Sequence, residues 1–500
     1  MADIILINPK SSSLGVFDFL IAKSIPLSIG YLAAYLEERN YNVIIIDEEI
    51  ETITKEKLPQ VTNDKKQLFG ISLYTATASR GYHLADLIKS IYPKSTVVLG
   101  GIHPTILPEE GLERPSVDLV VRGEGEVIIE EIVVNHHEGK GYQDILSCSY
   151  RSNGKIVHNP MAPLIDMDLL PDIPYQMFDS KVYDMGFSIS SRGCPYNCSF
   201  CSQRVISGNR FRYRSAERVT SELTKLVDSY APSNIVFLDD IFTINKRRIN
   251  DLCQTMIEKD LHKKAEYTIV TRADCIDDDL LNTLKSANFT GLGIGVETAS
   301  NKLMKFINKK ETVEEMADGI IRAKQHNFIV DTVFIYGISG ETRQDRVDSL
   351  NFAKRLDVDK ARFNASTPYP GTKFYDVAVQ ENNLNVIGTW DNFTPTGILA
   401  AKNPDSSTLP YYPQGSSADE LMMDVIQANM LYYLHYRRMW RFVKNMFDRK
   451  GTKWFVLPKG WWKNPKYIKG VYDVIMLNLR RMFWLLKWGL QGKLLTQYKK

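Results

Sequence analysis

Cysteine and histidine are scarce in this 500-residue sequence, which contains six cysteines and eight histidines. Three of the cysteines, Cys148, Cys253 and Cys275, are scattered along the chain, so the sequence does not encode a disulfide scaffold. No histidine lies near the other three cysteines, which argues against a zinc site made of cysteine and histidine pairs. This cysteine usage is typical of a protein of the reducing cytoplasm.

Long uncharged apolar runs are also missing. No such stretch reaches about 18 residues, the length that a bilayer requires, so no transmembrane helix is expected. Residues Met1–Ile7 lead directly into a strand pattern and not into a signal peptide, which indicates a cytoplasmic location. At 500 residues the chain is too long for one ordinary domain, and two or three domains are expected.

A strong charge of one sign is absent from the chain as a whole but present at its end. The net charge is only +3, yet residues 431–500 carry 17 lysines and arginines against Asp448 and Asp473. This segment therefore carries a charge of +15, and the first 430 residues carry −12. Six of the seven tryptophans also lie in it, so its composition marks a distinct unit.

The three remaining cysteines, Cys194, Cys198 and Cys201, form a C-x3-C-x2-C motif. Gly193 and Pro195 break regular structure, so the motif is predicted to lie on a loop. Three thiolates on a short loop can hold three irons of a cubane cluster. The fourth iron then has no protein ligand and can bind a small molecule, whereas a closed four-cysteine site mainly carries electrons.

This motif resembles the signature of the radical S-adenosylmethionine superfamily, and the resemblance covers about residues 180–380. It implies that Cys194, Cys198 and Cys201 bind a [4Fe–4S] cluster whose open iron chelates S-adenosylmethionine. It also implies that electron transfer cleaves this cofactor to a 5′-deoxyadenosyl radical. An external electron donor of the flavodoxin or ferredoxin type is implied as a partner.

Residues 1–150 alternate between strand and helix patterns, which predicts a parallel, doubly wound (Rossmann-like) sheet. Such a sheet binds ligands at the carboxyl ends of its strands. Strands are predicted at Ile4–Asn8, Val43–Asp47, Leu68–Leu73, Thr96–Gly100 and Val117–Val121, with helices at Leu27–Glu38 and Tyr82–Ile91. The candidate ligand loops are Asn8–Gly15, Ser72–Thr77, Gly100–Pro104 and Arg122–Glu126.

Two of these loops, Gly-Gly-Ile-His-Pro-Thr from Gly100 and Arg-Gly-Glu-Gly-Glu from Arg122, resemble those of cobalamin-binding domains. The resemblance implies that cobalamin is bound by the following residues of the loops: Ser72, Thr75, Gly100, Gly101 and Gly123. The Asp-x-His-x-x-Gly motif that ligates cobalt in some relatives is absent, and Lys10–Gly15 stands there instead. His103 is the other candidate ligand, although such a histidine more often packs or caps a turn. Either cobalt has no histidine ligand, or the domain is empty.

After a linker at residues 151–180, residues 181–385 show six strand–helix repeats, which predict a partial (β/α)6 barrel of the TIM type. Polar residues follow its strands, where S-adenosylmethionine needs partners for its amine, carboxylate and ribose. By resemblance, Asp239 and Asp240 contact the amino group, Arg272 the carboxylate or ribose, and Glu297 the ribose side. Each of these residues could instead cap a helix or form an ion pair.

The last region, residues 386–500, is predicted to be mostly helical, with helices at Asp419–Met446 and Val471–Trp488. The second helix is too charged to span a bilayer but suits the surface of one. A helical cap on the barrel, with its basic face solvated, fits the same pattern. No nucleic-acid module is recognisable, so nucleic acid is not expected as a partner. Peripheral membrane contact at the inner face and a structural cap are both left open.

Together the two resemblances imply a cobalamin-dependent radical S-adenosylmethionine enzyme. The leading hypothesis is methylation of an unactivated carbon in a small-molecule or lipid-linked substrate, with methylcobalamin as the methyl donor. Radical cyclisation or rearrangement, as in the anaerobic porphyrin cyclases, is the alternative among enzymes. A methylthiotransferase acting on RNA is disfavoured because the first domain has no second cysteine cluster. A non-catalytic cobalamin or redox sensor is the alternative from another class.

Overall fold

The computed structural model describes residues 2–11, 23–62, 65–448, 451 and 461–497, which form two large β-sheets covered by helices. The part of the predicted ligand loop Asn8–Gly15 beyond Ser11 lies outside the described residues. No helix in the described part of the chain is both long enough and apolar enough to cross a membrane.

The first sheet has seven strands in the order β2-β1-β3-β4-β5-β6-β7. Its strands are β1 Ile4–Asn8, β2 Val43–Asp47, β3 Leu68–Ser72, β4 Thr96–Gly100, β5 Leu119–Val121, β6 Cys148–Ser152 and β7 Lys155–His158. The first five are parallel, and β6 and β7 extend the sheet antiparallel. Its helices are α1 Leu27–Glu37, α2 Leu58–Val61, α3 Ala78–Ile91, α4 Ile102–Ile106, α5 Pro108–Leu112 and α6 Glu126–Glu138.

The apolar runs in the sequence explain this sheet. Every residue of β3 is buried, and so are four of the five residues of β1, because helices cover both faces. The doubly wound architecture predicted for this part of the chain is confirmed. The carboxyl ends of β1, β3, β4 and β5 lie side by side, so the predicted ligand loops meet at one edge.

The second sheet has six parallel strands in the order β15-β14-β13-β12-β11-β8. They are β8 Phe187–Ser188, β11 Asn234–Phe237, β12 Glu266–Thr271, β13 Phe289–Glu297, β14 Ile329–Tyr336 and β15 Lys360–Ala365, and a separate pair is β9 Ser191–Arg192 with β10 Arg212–Tyr213. β8 and β15 end the described sheet without pairing to each other, which confirms the predicted partial barrel of six strands.

Helices follow the strands of the barrel sheet. They are α7 Gln203–Ser207, α8 Ala216–Tyr230, α9 Lys246–Glu258, α10 Leu261–Lys264, α11 Asp278–Ser286, α12 Asn301–Phe306, α13 Val313–Gln325, α14 Arg343–Leu356 and α15 Lys373–Gln380. Four of them, α7, α10, α12 and α15, were not predicted from the sequence. The Ser215 hydroxyl caps α8 by accepting the Arg218 N–H. Thr312 and Glu315 form a capping box at the start of α13.

The C-terminal region contains α16 Gly397–Ala400, α17 Ala418–Tyr433, α18 Tyr436–Asp448 and α19 Pro465–Leu490. The prediction of one continuous helix over Asp419–Met446 is wrong, because the chain turns between α17 and α18. α17 runs along β15, where the Asn429 side chain bonds both the N–H and the carbonyl of Phe363, at 3.2 and 2.7 Å. The turn then brings Arg438 and Arg441 to the Asp357 carboxylate, at 3.0 and 2.8 Å.

A buried ion-pair network joins α17 to the barrel. The guanidinium of Arg346 is fully buried and lies 3.0 Å from Glu341 and 2.7 Å from Asp424 of α17. Asp424 also bonds Arg343 at 3.0 Å. Burial raises the pKa of Glu341 to about 7 although Arg346 works in the opposite direction, and its Oε1 has no hydrogen-bond partner within the described ranges.

Glu341 should make the protein less stable as pH rises. The unfolded side chain loses its proton near its ordinary value of 4.5, whereas the folded one keeps it until about pH 7. The free energy of unfolding should therefore fall by about 3 kcal/mol from this group between those pH values. Glu341→Gln should remove that fall in thermal unfolding measured from pH 4.5 to 8. Glu420→Gln, in the same network but more exposed, is the control, and identical pH profiles for wild type and Glu341→Gln would contradict the assignment.

Candidate active site

The cysteine loop follows β9 and lies at the carboxyl end of the barrel sheet. Cys194, Cys198 and Cys201 are all half-buried on it. Gly193 precedes them with a φ of +88°, and a Cβ there would lie 2.0 Å from the Arg210 carbonyl oxygen, so only glycine fits. The Gly193 N–H donates to Asp240 at 2.7 Å, which attaches the loop to the end of β11.

Two neighbouring segments hold the backbone of this loop. The Ser199 N–H donates to the Ile307 carbonyl at 2.8 Å, and the Asn308 amide donates to the Asn197 carbonyl at 2.7 Å. The Ser199 carbonyl in turn accepts from the Phe374 N–H at 3.0 Å. The protein therefore fixes the loop with its own hydrogen bonds, which suits thiolates that must bind a cluster in one orientation.

Burial and neighbouring charges together set the pKa values of the three thiols. Burial raises the pKa of all three thiols, to about 11 for Cys201. Nearby cysteine or acidic side chains also raise the pKa of each thiol. Lys309 and Arg272 lower the pKa of Cys194 and Cys198 and so favour their thiolates. Among the described residues no three His, Cys, Asp or Glu side chains converge on a single metal ion.

Lys309, which no sequence motif indicates, is the cation at the centre of this site. Its buried ammonium donates to the Gly295 carbonyl and lies 3.4 Å from Glu297 and 3.5 Å from Glu311. Glu297 is placed toward it by a left-handed backbone with a φ of +66°, at a register shift in the pairing of β13 with β14. A non-glycine residue in this conformation is strained, and such strain is concentrated at functional sites.

Removing the Lys309 charge should destabilise the protein strongly. Lys309→Met leaves Glu297 and Glu311 buried without their shared cation, and breaking a buried pair in this way costs about 3 kcal/mol or more. The change should appear as a lower thermal midpoint in anaerobic unfolding. Lys305→Met, at an exposed position of α12, is the matched control and should unfold like wild type. Equal midpoints for the two variants would contradict the structural role of Lys309.

Arg272 stands beside the cysteine loop at the end of β12. Its guanidinium lies 3.8 Å above the ring of Tyr196, which is between two of the cysteines in sequence. It bonds Asp274 at 2.7 Å and lies 3.6 Å from Glu311. The structure thus brings Arg272 and Glu297 to one side of the loop, through Glu311 and Lys309. Their predicted contacts with S-adenosylmethionine stay predictions.

The adjacent residues Asp239 and Asp240 take different positions. Asp239 is buried, and its carboxylate accepts from the Ser190 N–H at 2.7 Å and the Ser190 hydroxyl at 2.6 Å. Asp240 instead lines a cavity and accepts from Gln203 at 3.0 Å, and burial raises its pKa. Asp239 therefore shapes the backbone before the cysteine loop, while Asp240 is the one of the pair that faces open space.

That cavity, of about 590 Å³, lies between the first sheet and the cysteine loop. The first domain contributes the carboxyl ends of its strands, including Ser72, Gly100, Gly101 and Gly123. The barrel contributes residues on both sides of the cysteine motif, namely Ser191, Arg192, Gln203, Ile206, Ser207, Leu238 and Asp240. One cavity therefore joins the predicted cobalamin edge to the segment that carries the cysteines.

The glycines of the first domain keep this cavity open. No described atom lies within 4 Å of a Cβ built on Gly100, so the space in front of it is free. At Gly101, with a φ of +96°, a Cβ would lie 2.6 Å from the Leu73 carbonyl oxygen. The hydroxyl of Ser72 is 3.4 Å from that of Ser28, and both residues line the cavity. Bare backbone and hydroxyl groups suit a large, amide-bearing macrocycle such as a corrinoid.

Two predicted residues of the first domain do not line the cavity. Thr75 is buried within the short turn that follows β3. His103 is fully buried, with its ring 5.8 Å from that of Trp390 and its Nε2 3.4 Å from Glu110. His103 thus packs the C-terminal region against the first domain. Packing of this kind is the more common role of a lone histidine.

Charged side chains join the two domains at the cavity wall, and the sequence did not single out this contact. Arg192, two residues before Cys194, bonds Glu126 at 2.6 Å and lies 3.5 Å from Glu124. Arg212 bonds the same Glu124 at 3.0 Å. The loop Arg122–Glu126 of the first domain therefore holds the start of the cysteine loop in place. This contact ties the two predicted cofactor sites to each other.

Two family models match the chain in the regions just described. The model of the radical SAM superfamily matches residues 188–353, and that of the B12 binding domain matches residues 22–133. A protein named as an uncharacterized methyltransferase, from Pyrococcus horikoshii, is 34% identical over 377 residues, which cover 74% of this chain and 81% of that protein.

Two further comparisons extend over both domains. The anaerobic magnesium-protoporphyrin IX monomethyl ester cyclase of Rubrivivax gelatinosus is 28% identical, over 69% of this chain and 64% of that protein. The solved structure of the radical S-adenosylmethionine methyltransferase TsrM from Kitasatospora setae, with cobalamin and a [4Fe–4S] cluster bound, has a TM-score of 0.65 at 17% identity and covers 95% of this chain and 91% of that chain. This last likeness shows the fold alone. The chain belongs to the radical S-adenosylmethionine superfamily, in the branch whose enzymes also carry a B12-binding domain.

Proposed function

We propose that this enzyme methylates an unactivated carbon of a small-molecule or lipid-linked substrate. The observation that carries the proposal is the shared cavity, which opens to the strand-end glycines of the first domain and to the residues flanking the cysteines. When bound, the cluster with S-adenosylmethionine supplies a radical that abstracts a hydrogen atom, and cobalamin supplies the methyl group. The name of the relative from Pyrococcus horikoshii supports methyl transfer.

The residues of this chain would act as binding and positioning groups. Cys194, Cys198 and Cys201 would hold the cluster, with Lys309 and Arg272 favouring the thiolate forms of Cys194 and Cys198. Gly100 and Gly101 would let the corrinoid approach the sheet edge closely.

Product analysis on the reconstituted enzyme tests this proposal. Protein with cluster and corrinoid would be incubated anaerobically with S-adenosylmethionine, reductant and a cell extract that contains the substrate. Methyl transfer predicts both 5′-deoxyadenosine and S-adenosylhomocysteine, since one molecule supplies the radical and another the methyl group. Deoxyadenosine without S-adenosylhomocysteine would overturn methylation, and neither product would favour a sensor.

Radical cyclisation is the second candidate. It is favoured by the similarity to the magnesium-protoporphyrin cyclase of Rubrivivax gelatinosus, which extends over 69% of this chain. The same product analysis separates the two candidates, because ring closure consumes no methyl group.

Two partners complete the proposal. A flavodoxin or ferredoxin would deliver the electron that the cluster needs before it cleaves S-adenosylmethionine. The C-terminal region, residues 386–500, would contact the membrane from one side without crossing it. Its positive charge and its tryptophan content support this contact. The exposed surface of α19 supports it as well.

A further inference from the structure

Helix α19 exposes an apolar stripe along its whole length. Phe483 and Leu486 are 66% and 67% exposed, and Leu490 is 92% exposed. The other large exposed side chains of the stripe are Ile468, Tyr472, Ile475, Met476, Leu479 and Met482. These positions recur at spacings of three and four residues, so they share one face of the helix. A helix that only caps a barrel would present polar side chains there.

The opposite face of α19 is already packed on the protein. Leu477 and Leu485 are buried, and the Arg481 guanidinium donates to the Leu399 carbonyl beneath the helix. The Lys493 carbonyl, just beyond α19, accepts from Arg343 of the barrel at 2.8 Å. The inner face of α19 is therefore the side that packs on the protein. The exposed apolar stripe lies on the other side of the helix and is an additional apolar face.

Exposed basic side chains lie along one edge of the stripe. Lys469, Arg480 and Lys487 are exposed and lie about 80 to 100° around the helix from Leu479, at 100° per residue. An apolar stripe with a basic edge complements a surface whose interior is apolar and whose headgroups are anionic.

We propose that the outer face of α19 docks on an anionic phospholipid bilayer, with its apolar stripe in the acyl-chain boundary and its basic edge among the headgroups. The helix then lies in the plane of the membrane. This proposal deepens the membrane contact named above and does not depend on the reaction. Its test uses the enzyme without substrate, so its failure would leave the methylation proposal untouched.

Vesicle flotation of the full chain tests the docking. Wild type should float with vesicles of equal parts phosphatidylcholine and phosphatidylglycerol, and much less with phosphatidylcholine alone. Leu479→Glu with Phe483→Glu should lower the partition coefficient about 100-fold, since two apolar side chains can no longer be buried. Lys469→Gln with Lys487→Gln should lower it about tenfold on the anionic vesicles alone.

Two controls separate docking from other causes. Leu169→Glu with Val379→Glu adds the same charge at exposed apolar positions elsewhere and should bind vesicles like wild type. Quenching of tryptophan emission by brominated phospholipid, measured on wild type, needs no variant. Vesicle binding that α19 variants do not change would overturn the proposal. A second outcome would also overturn it. In that outcome wild type sediments as a dimer and does not bind vesicles, and Leu479→Glu with Phe483→Glu dissociates the dimer.

Discussion

Cys198→Ala should abolish the cluster and reduce S-adenosylmethionine cleavage by roughly 10³-fold or more. Cys198 is half-buried on a loop whose backbone is held by Ile307, Asn308 and Phe374, so the fold should survive the loss of one thiol. Two thiolates cannot replace three at a cubane, and no other cysteine is part of the loop. Iron content, the visible absorption of the cluster and 5′-deoxyadenosine formation measure the effect.

Cys275→Ser is the matched control for this change. The Cys275 sulfur lies 3.6 Å from the Tyr196 hydroxyl, so it is the cysteine outside the motif that approaches the loop. If the three motif cysteines are the ligands, Cys275→Ser should retain cluster and cleavage activity. Loss of the cluster in this variant, with retention in Cys198→Ala, would show that the ligand set has been assigned wrongly.

Gly100→Leu should weaken corrinoid binding at least tenfold while the rest of the protein stays intact. A Cβ at Gly100 meets no described atom within 4 Å, and the residue does not need a positive φ, so the protein without corrinoid should tolerate the side chain. The leucine would instead fill the space that we assign to the corrinoid, and its affinity should fall at least tenfold, about 1.4 kcal/mol. Visible spectra after gel filtration with hydroxocobalamin measure the retained corrinoid.

The selectivity of Gly100→Leu is as informative as the loss. The thermal midpoint, the cluster content and 5′-deoxyadenosine formation should match wild type, because Cys194, Cys198 and Cys201 are not among the residues that line the cavity beside Gly100. Gly101→Leu should behave differently and unfold at lower temperature, because its Cβ would clash with the Leu73 backbone. Undiminished corrinoid binding by Gly100→Leu would place the corrinoid elsewhere.

Local sequence patterns predicted the parts of this molecule that depend on local rules. The C-x3-C-x2-C spacing specified the cysteine loop, and the alternation of strands and helices specified the parallel strands of both sheets, but not the antiparallel strands β6 and β7. Strand-end polar residues were predicted as a group, but the sequence could not distinguish Asp239 from Asp240. Neighbouring residues at the end of a strand point to opposite sides, and only the packed structure shows that Asp239 turns inward to Ser190.

Contacts between distant residues explain what the sequence did not predict. Lys309 reaches Glu297 from the chain segment after α12, and Arg192 reaches Glu126 across 66 residues, so neither pair has a spacing signal. The arginines that follow the break between α17 and α18 bond Asp357, which lies far away in sequence. The charge and tryptophans of the C-terminal region were evident in the sequence, but which face of α19 is exposed required the structure.

The central claim is that the corrinoid fills the cavity and that the cluster lies next to it, on the loop whose flanking residues line the cavity. Electron paramagnetic resonance tests it directly, on enzyme that holds the reduced cluster and the Co(II) form of the corrinoid together. The account predicts that the cobalt signal is broadened and relaxes faster when the cluster is reduced, because the two spins lie close to each other. The broadening should disappear with Cys198→Ala. Two independent signals, unchanged by reduction of the cluster, would contradict the shared cavity.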